Sequence, residues 1–397
     1  MSADLKLEID PIMGKDTATG NSNTKYFDFG ADQTNVIEVK NAFLQAKRVF
    51  NLVDFKGGVF GYTIPGRIMI ADDVPGFELT SQIGRFSVDG SILKVREGNT
   101  GTGVTDSYFF NLWAMTDTAV RLSKTRPGGI LKIQPIFSVA AAKDFDKVAY
   151  IPQLYLETKY GPLSMNFIGA YALGSDKTGA SDIDFSSFGA KLESTITLKP
   201  AYVKAFGVFF TGDKDTGDDK NKNFGDSFLI PGIDIQVTNY FYEGGLEQFN
   251  VGSGEKLYTS GYGVVSFGGG IGRQFNNNNT LVEAVAAYHM AAAEPTGAAE
   301  KGYGLEVNLN AKQKISKNGL LEGEVDLFVP GKYYTGDKRD VAVTIDAFTG
   351  IIIHAVFLPK KFLLRSAYRR RNILRHISRY GQPLEMHSRA IFIFTTI

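Results

Sequence analysis

The chain has 397 residues, a formal charge of +1, no cysteine and a mean hydropathy of −0.09. These totals exclude disulfide staples, thiolate metal sites, a cysteine nucleophile and the strongly basic balance of a nucleic-acid binder. No stretch approaches the roughly 18 consecutive apolar residues of a membrane-spanning helix, while 44 glycines, about 11% against a typical usage near 7%, and 12% aromatic residues suit many strands joined by tight turns.

The N-terminus, Met1 to Lys6, lacks the charged start and apolar core of a secretory signal, so the expectation is that an export signal was removed or never included. Further on, apolar and polar residues alternate with period two, as a strand with one apolar and one watery face requires. Leu154, Leu156 and Thr158 oppose Gln153, Tyr155, Glu157 and Lys159. Tyr160-Gly161-Pro162 then turns the chain into Leu163, Met165, Phe167, Tyr171 and Leu173, opposite Ser164 and Asn166. Phe188, Ala190, Leu192, Ile196 and Leu198 oppose Lys191, Glu193, Thr195 and Thr197, with Lys199-Pro200 as the next turn. Tyr150, Tyr160, Tyr202 and Tyr303 fall near expected strand ends, where aromatics suit a membrane interface.

The loop Asp213 to Asp219 gathers Asp213, Asp215, Asp218 and Asp219, oxygen donors of the kind Ca²⁺ takes, but without the bidentate Glu that closes an EF-hand loop. No other metal site and no cofactor is expected. Gly268-Gly269-Gly270-Ile271-Gly272 fails the dinucleotide spacing, because Arg273 stands where a third glycine belongs; small residues beside bulky neighbours explain it better. His289, the one histidine before the tail, shares a face with Glu283 and is expected to make a polar lumen contact.

The clearest alternation comes late. Tyr303, Leu305, Val307, Leu309, Ala311 and Ile315 line one face and Glu306, Asn308, Asn310, Lys312 and Lys314 the other. After the turn Ser316-Lys317-Asn318-Gly319, Leu321, Val325, Leu327 and Val329 oppose Glu322, Glu324 and Asp326. Strands of about 9 to 13 residues, at about 3.3 Å per residue and a tilt near 40°, span the roughly 25 Å apolar band of an outer membrane. Short connections also alternate with long polar ones such as Ser175 to Asp182 and Thr211 to Asp226.

The fold expected is therefore all-β: a transmembrane antiparallel β-barrel over residues 1–349, with about 14 to 18 strands. Residues 350–397 break the style. From Pro359 onward there are nine Lys or Arg and one acid, Glu385, and three of the four histidines, His354, His376 and His387, lie in this tail. A frameshift, a fusion or a missing closing strand would produce such a change. A basic helix with Phe362, Tyr368, Ile373 and Ile377 on one side is the alternative.

Phe43 to Leu52, then Phe60-Gly61-Tyr62 and Pro75 to Leu79, resemble early strands of proteobacterial porins, with a looser likeness to alginate-export channels. The resemblance extends over about Ala3 to Val343 as a pattern of strands and loops. It implies a passive channel with charged rings in the lumen, often narrowed by an inward-folded loop. It carries no individual residues across. Alternation alone assigns Glu157, Lys159, Lys191, Glu193, Glu306, Lys312, Lys314, Glu322, Glu324 and Asp326 to the pore wall.

The function expected is a non-catalytic porin of the bacterial outer membrane, passing small hydrophilic solutes or ions. Its partners would be membrane lipid and those solutes, without nucleic acid, and the class leaves room for a homotrimer. A channel specific for an anionic polysaccharide or sugar, and a non-transport β-structural protein, are the alternatives.

Overall fold

The computed structural model describes residues 2–13, 35–84, 86–96, 107–116, 129–142, 144–179, 182–215, 217–225, 229, 261–295, 300–316, 319–333, 342–353, 365–374, 386–387 and 389–395. They form one sheet of twenty strands. In chain order these are β1 (Ser2–Met13), β2 (Asn35–Val49), β3 (Val53–Thr63), β4 (Ala71–Ile83), β5 (Phe86–Arg96), β6 (Ser107–Thr116), β7 (Ile130–Ala142), β8 (Lys147–Tyr160), β9 (Leu163–Asp176) and β10 (Ile183–Leu198). There follow β11 (Ala201–Phe210), β12 (Lys220–Asn221), β13 (Val264–Phe275), β14 (Thr280–Met290), β15 (Gly302–Ser316), β16 (Gly319–Pro330), β17 (Ala342–Ile353), β18 (Arg365–Leu374), β19 (Met386–His387) and β20 (Arg389–Thr395). Two of the twenty, β12 and β19, are two residues long, so eighteen build the wall.

Each long strand pairs antiparallel with its neighbours, β11 passing to β13 and β18 to β20. The ring then closes: β1 pairs with β2 on one edge, as at Ala3↔Leu44, and with β20 on the other, as at Leu7↔Phe392. Closure pairs the first and last strands with each other, as strands that cross hydrocarbon require.

The side chains are distributed inside out relative to an ordinary globular protein. On β15 and β16 Leu305, Leu309, Leu321, Val325 and Val329 are exposed on the outer surface, whereas Glu306 and Asn308 keep 1% of their surface. Leu154, Tyr171, Leu173, Leu192, Ile196 and Leu198 repeat the outward pattern on β8 to β10. Short connections join β4 to β5, β8 to β9, β10 to β11, β13 to β14 and β15 to β16 at one end of the barrel, and the described residues that follow β11, from 211 to 225, start from the other.

One hairpin leaves the wall. The β2–β3 ladder ends at Ala42↔Val59 and the β4–β5 ladder at Gly76↔Leu93, yet β3 and β4 stay paired to each other as far as Thr63↔Ala71. Asp54, Thr80 and Asp89 stand in one row across β3, β4 and β5. Tyr62 is eight residues beyond Asp54, about 26 Å in extended chain, and still its hydroxyl donates to Asp89 Oδ1 at 3.3 Å. The outer half of the hairpin therefore folds back into the barrel.

Its inner-facing residues explain the fold. Phe60, Tyr62, Ile64, Ile68, Met69, Ile70 and Val74 are buried in one cluster with the wall residues Leu93, Phe109, Ile136, Ala140, Ile151, Ile168 and Ala170. The opposite face loses its apolar character, with Gly61 and Thr63 exposed where a lipid-facing strand would carry large apolar groups. Gly58 and Gly76 face each other at the bend. Gly58 has φ +132°, and a Cβ there would lie 2.2 Å from the Ala42 carbonyl oxygen; at Gly76 it would lie 2.4 Å from that of Ile92. Only glycine tolerates that approach.

The structure corrects the expectation for two of the interface tyrosines, and the first, Tyr202, faces inward on β11, where its hydroxyl donates to Glu283. Tyr303 is not on the lipid face with Leu305 but fully buried, its hydroxyl donating to the Gly263 carbonyl at 3.1 Å and its ring edge-on to Tyr333. A register shift between His289 and Met290, with Gly304 at φ +152°, breaks the alternation there.

In the C-terminal part, β17 runs across the expected boundary at residue 350, and β18 and β20 supply the last two wall strands. Tyr368 and Ile373 lie in β18 rather than in a helix; Phe362 and Ile377 are outside the described residues, as are His354, His376 and Glu385.

Candidate functional site: the inner wall of the barrel

Strand geometry sends every second side chain inward, so the inner wall can be read strand by strand. On β3 to β5, Lys56 Nζ approaches Glu78 Oε2 at 3.9 Å and lies 4.2 Å from the Phe60 ring centroid. Asp89, 1% exposed, accepts from Thr80 Oγ1 at 2.8 Å as well as from Tyr62. A polar ladder continues around the wall: Asn111 Nδ2 donates to Ser91 Oγ at 3.1 Å, Ser138 Oγ to Asn111 Oδ1 at 2.7 Å, and Gln153 Nε2 to Ser138 Oγ at 2.8 Å. All four are buried.

Several charged pairs lie in the part of the wall nearer the tight turns, while Lys147 and Asp176 pair at 3.0 Å at the other end of β8 and β9. Lys132 Nζ sits 3.3 Å from Glu157 Oε2, which Tyr155 also reaches at 3.4 Å. Lys191 and Glu193, inward neighbours on β10, are 3.0 Å apart. Between β11 and β14, Lys204 Nζ lies 2.8 Å from Glu283 Oε1, and the Tyr202 hydroxyl donates to Glu283 Oε2.

That bridge passes over β13. Tyr202 pairs with Gly272, which pairs with Glu283, while Lys204 pairs with Gly270. A Cβ on Gly272 would lie 2.2 Å from Tyr202 Cζ, and one on Gly270 3.1 Å from Lys204 Cε. The glycine run is thus clearance for side chains that reach across a strand, as the sequence reading expected of small residues beside bulky neighbours.

Farther round, one row links four strands. Ser266 Oγ is 2.8 Å from His289 Nδ1, His289 Nε2 is 3.1 Å from Glu306 Oε2, and Asn308 Nδ2 donates to Glu306 Oε1 at 2.8 Å and to Asp326 Oδ1. Ser266, His289, Glu306 and Asn308 are each no more than 1% exposed. Lys312 Nζ pairs with Glu322 Oε1 at 3.3 Å nearer the turn.

The sequence-assigned residues therefore fall as follows. Lys191 pairs with Glu193, Lys312 with Glu322, and Glu306 joins Asp326 through Asn308. Glu157 pairs with Lys132 from the preceding strand, and Glu324 lies half-buried between Glu322 and Asp326. Lys159 and Lys314 are exposed at the turn end. Lys56, Glu78, Asp89, Lys132, Tyr202, Lys204 and Glu283 were not on the assigned list. The alternation in Phe77-Glu78-Leu79 and in Tyr202-Val203-Lys204 was signal enough to find several of them.

The acidic loop is engaged with its own backbone. Asp213 Oδ1 accepts from the Asp215 amide at 3.0 Å and Oδ2 from the Lys222 amide at 3.1 Å, and Asp215 Oδ1 accepts from the Gly217 amide at 3.3 Å. Asp218 Oδ1 accepts from the Lys220 amide at 2.9 Å, and its Oδ2 lies 3.2 Å from Lys222 Nζ. The Lys220 amide, followed by Lys222, holds the Asp218 carboxyl below its ordinary pKa. Asp219 is exposed. Among the described residues no group of three or more acidic or histidine side chains is arranged to hold a metal ion.

No family model matches the chain, and no curated protein is similar to it. Solved structures are similar along its whole length at low identity. OccK5 (OpdH) of Pseudomonas aeruginosa is 13% identical with a TM-score of 0.49, covering 100% of this chain and 98% of that one. A BenF-like porin from Pseudomonas fluorescens is 10% identical with a TM-score of 0.45, covering 99% and 98%. OpdK of Pseudomonas aeruginosa, solved with vanillate, is 12% identical with a TM-score of 0.43, covering 99% and 97%.

Proposed function

We propose that this closed barrel is a diffusion channel of the bacterial outer membrane, passing small hydrophilic solutes or ions and catalysing no reaction. The observation that carries the reading is the inversion of polarity. Large apolar side chains cover the outside, and charged pairs line the inside of a ring closed by the pairing of β1 with β20. Hydrocarbon favours the first arrangement and an aqueous lumen the second.

The paired charges favour a passage of mixed sign. Lys132–Glu157, Lys191–Glu193, Lys204–Glu283 and Lys312–Glu322 each neutralise themselves, creating local transverse fields rather than one long basic track. A polyanion channel needs the latter, so passage specific for an anionic polysaccharide is the weaker reading. The Ser266–His289–Glu306 row has the residue types of a nucleophilic triad. It is sealed from solvent and its acid is held by Asn308 too, which suits a structural brace. Membrane lipid and small solutes are the partners this reading requires; assembly into trimers and a foreign origin of residues 350–397 go with it as proposals. The purified chain in a planar bilayer tests the function. Ohmic current supports open diffusion, block by a single sugar or polyanion supports the specific channel, and silence refutes both.

A further inference from the structure

We infer that the inward hairpin, from Gly58 to Gly76, is a hinged plug whose displacement opens the barrel; this rests on the channel reading above. Three independent features meet in it. Its root carries glycines on both strands at the level where pairing with β2 and β5 stops. Backbone bending there needs no side chain to move. On its shaft the Tyr62 hydroxyl donates to Asp89 Oδ1 at 3.3 Å, and Asp89 is also held by Thr80.

Its tip reaches the far wall. A Cβ on Gly66 would lie 2.6 Å from Ile168 Cγ2, and Ile168 is on β9, six strands further round than β3. The segment from Ile64 to Ile70 spans that interval with four fully buried apolar residues, Ile64, Ile68, Met69 and Ile70. The wall beneath it sets small residues, Ala140, Ala170 and Ala172, among the bulkier Phe109, Ile136 and Ile151, all buried.

The opposing terms are of similar kind, which is what a switch needs. Folded inward, the hairpin buries apolar surface. Moved outward, it can extend its pairing along β2 from Asn41 and along β5 from Lys94, since both ladders to the hairpin stop one residue short of these positions.

The absence of cysteine makes the test clean. In the full-length Gly66→Cys/Ile168→Cys chain, diamide would oxidise the two thiols to a disulfide and fix the tip on the wall. The expected result is loss of single-channel current on oxidation, with the cross-link verified by mass, and recovery on reduction. Equal currents in the cross-linked and reduced forms would overturn the plug. Should the pair fail to fold, replacement of Ile64 to Ile70 by an Asn-Gly turn serves instead: a larger, steady conductance supports the plug, and a conductance unchanged from the unmodified chain refutes it. Silence from both the shortened and the unmodified barrel overturns the channel reading and the plug with it.

Discussion

Glu283 shows how far a single inner-wall residue depends on what its neighbours lack. It is reached from β11 by Tyr202 and Lys204 only because β13 presents glycine at both intervening positions. Gly272→Val would drive its side chain into the Tyr202 ring and unseat the bridge, whereas Ile271→Val, on the exposed opposite face of the strand, would leave it intact. Thermal unfolding in detergent should show a lower midpoint for the first than for the second. At the surface, Asp218 offers a titration check. Its carboxyl is held down by the Lys220 amide and then by Lys222, so the folded group loses its proton more readily than the unfolded one. This contribution to loop stability is complete above the ordinary carboxylate pKa and fades as pH falls through the lowered one. Carboxylate NMR should give Asp218 a midpoint below the ordinary 3.8, and Lys222→Ala should bring it back up.

At the scale of strands, much was legible in the sequence and the reason is simple. A strand between lipid and water has its period written in every second residue, and β8, β9, β10, β15 and β16 are found where Leu154, Leu173, Leu192, Leu309 and Val325 announced them. Three things were not legible. Tyr303 obeys the alternation in sequence but not in space, because the backbone irregularity at Gly304 turns it inward. The hairpin of β3 and β4 reads as two more wall strands, since Phe60 and Tyr62 have the right parity; what ends the wall is the pairing limit at Gly58 and Gly76, a tertiary fact. Cross-strand partners such as Lys132 for Glu157 were hidden for the same reason, as register is not local information. The strand account makes a depth-dependent prediction. Leu309→Arg, on the exposed face, should destabilise the barrel by about 2–4 kcal/mol if it lies near the bilayer midplane. The same change at exposed Lys314 on the inner face, Lys314→Arg, should cost nothing measurable by reversible unfolding in lipid vesicles.

For the molecule as a whole, stability comes from closure and function from the inversion that closure permits. Eighteen long strands close into one ring, the pairing of β20 on β1 uniting its first and last strands, and the outer ends of β2 and β5 lose their ladder to the hairpin where it turns inward. Inside, buried polar rows such as Ser91–Asn111–Ser138–Gln153 are tolerable because nearly every member has a partner across the ladder. The inward hairpin divides this interior into an apolar part around Phe60 and Ile168 and a charged part near the tight turns. The claim on which all of this depends is that alternate residues of one strand meet hydrocarbon and water. Single cysteines placed in turn at positions 305 to 310 of the cysteine-free chain, spin-labelled and reconstituted in lipid, measure it directly. The account predicts oxygen-accessible labels at 305, 307 and 309, and labels shielded from lipid-dissolved oxygen at 306, 308 and 310. A scan without this period of two, or one in which the labels at 305 and 309 are shielded from lipid-dissolved oxygen, would contradict it.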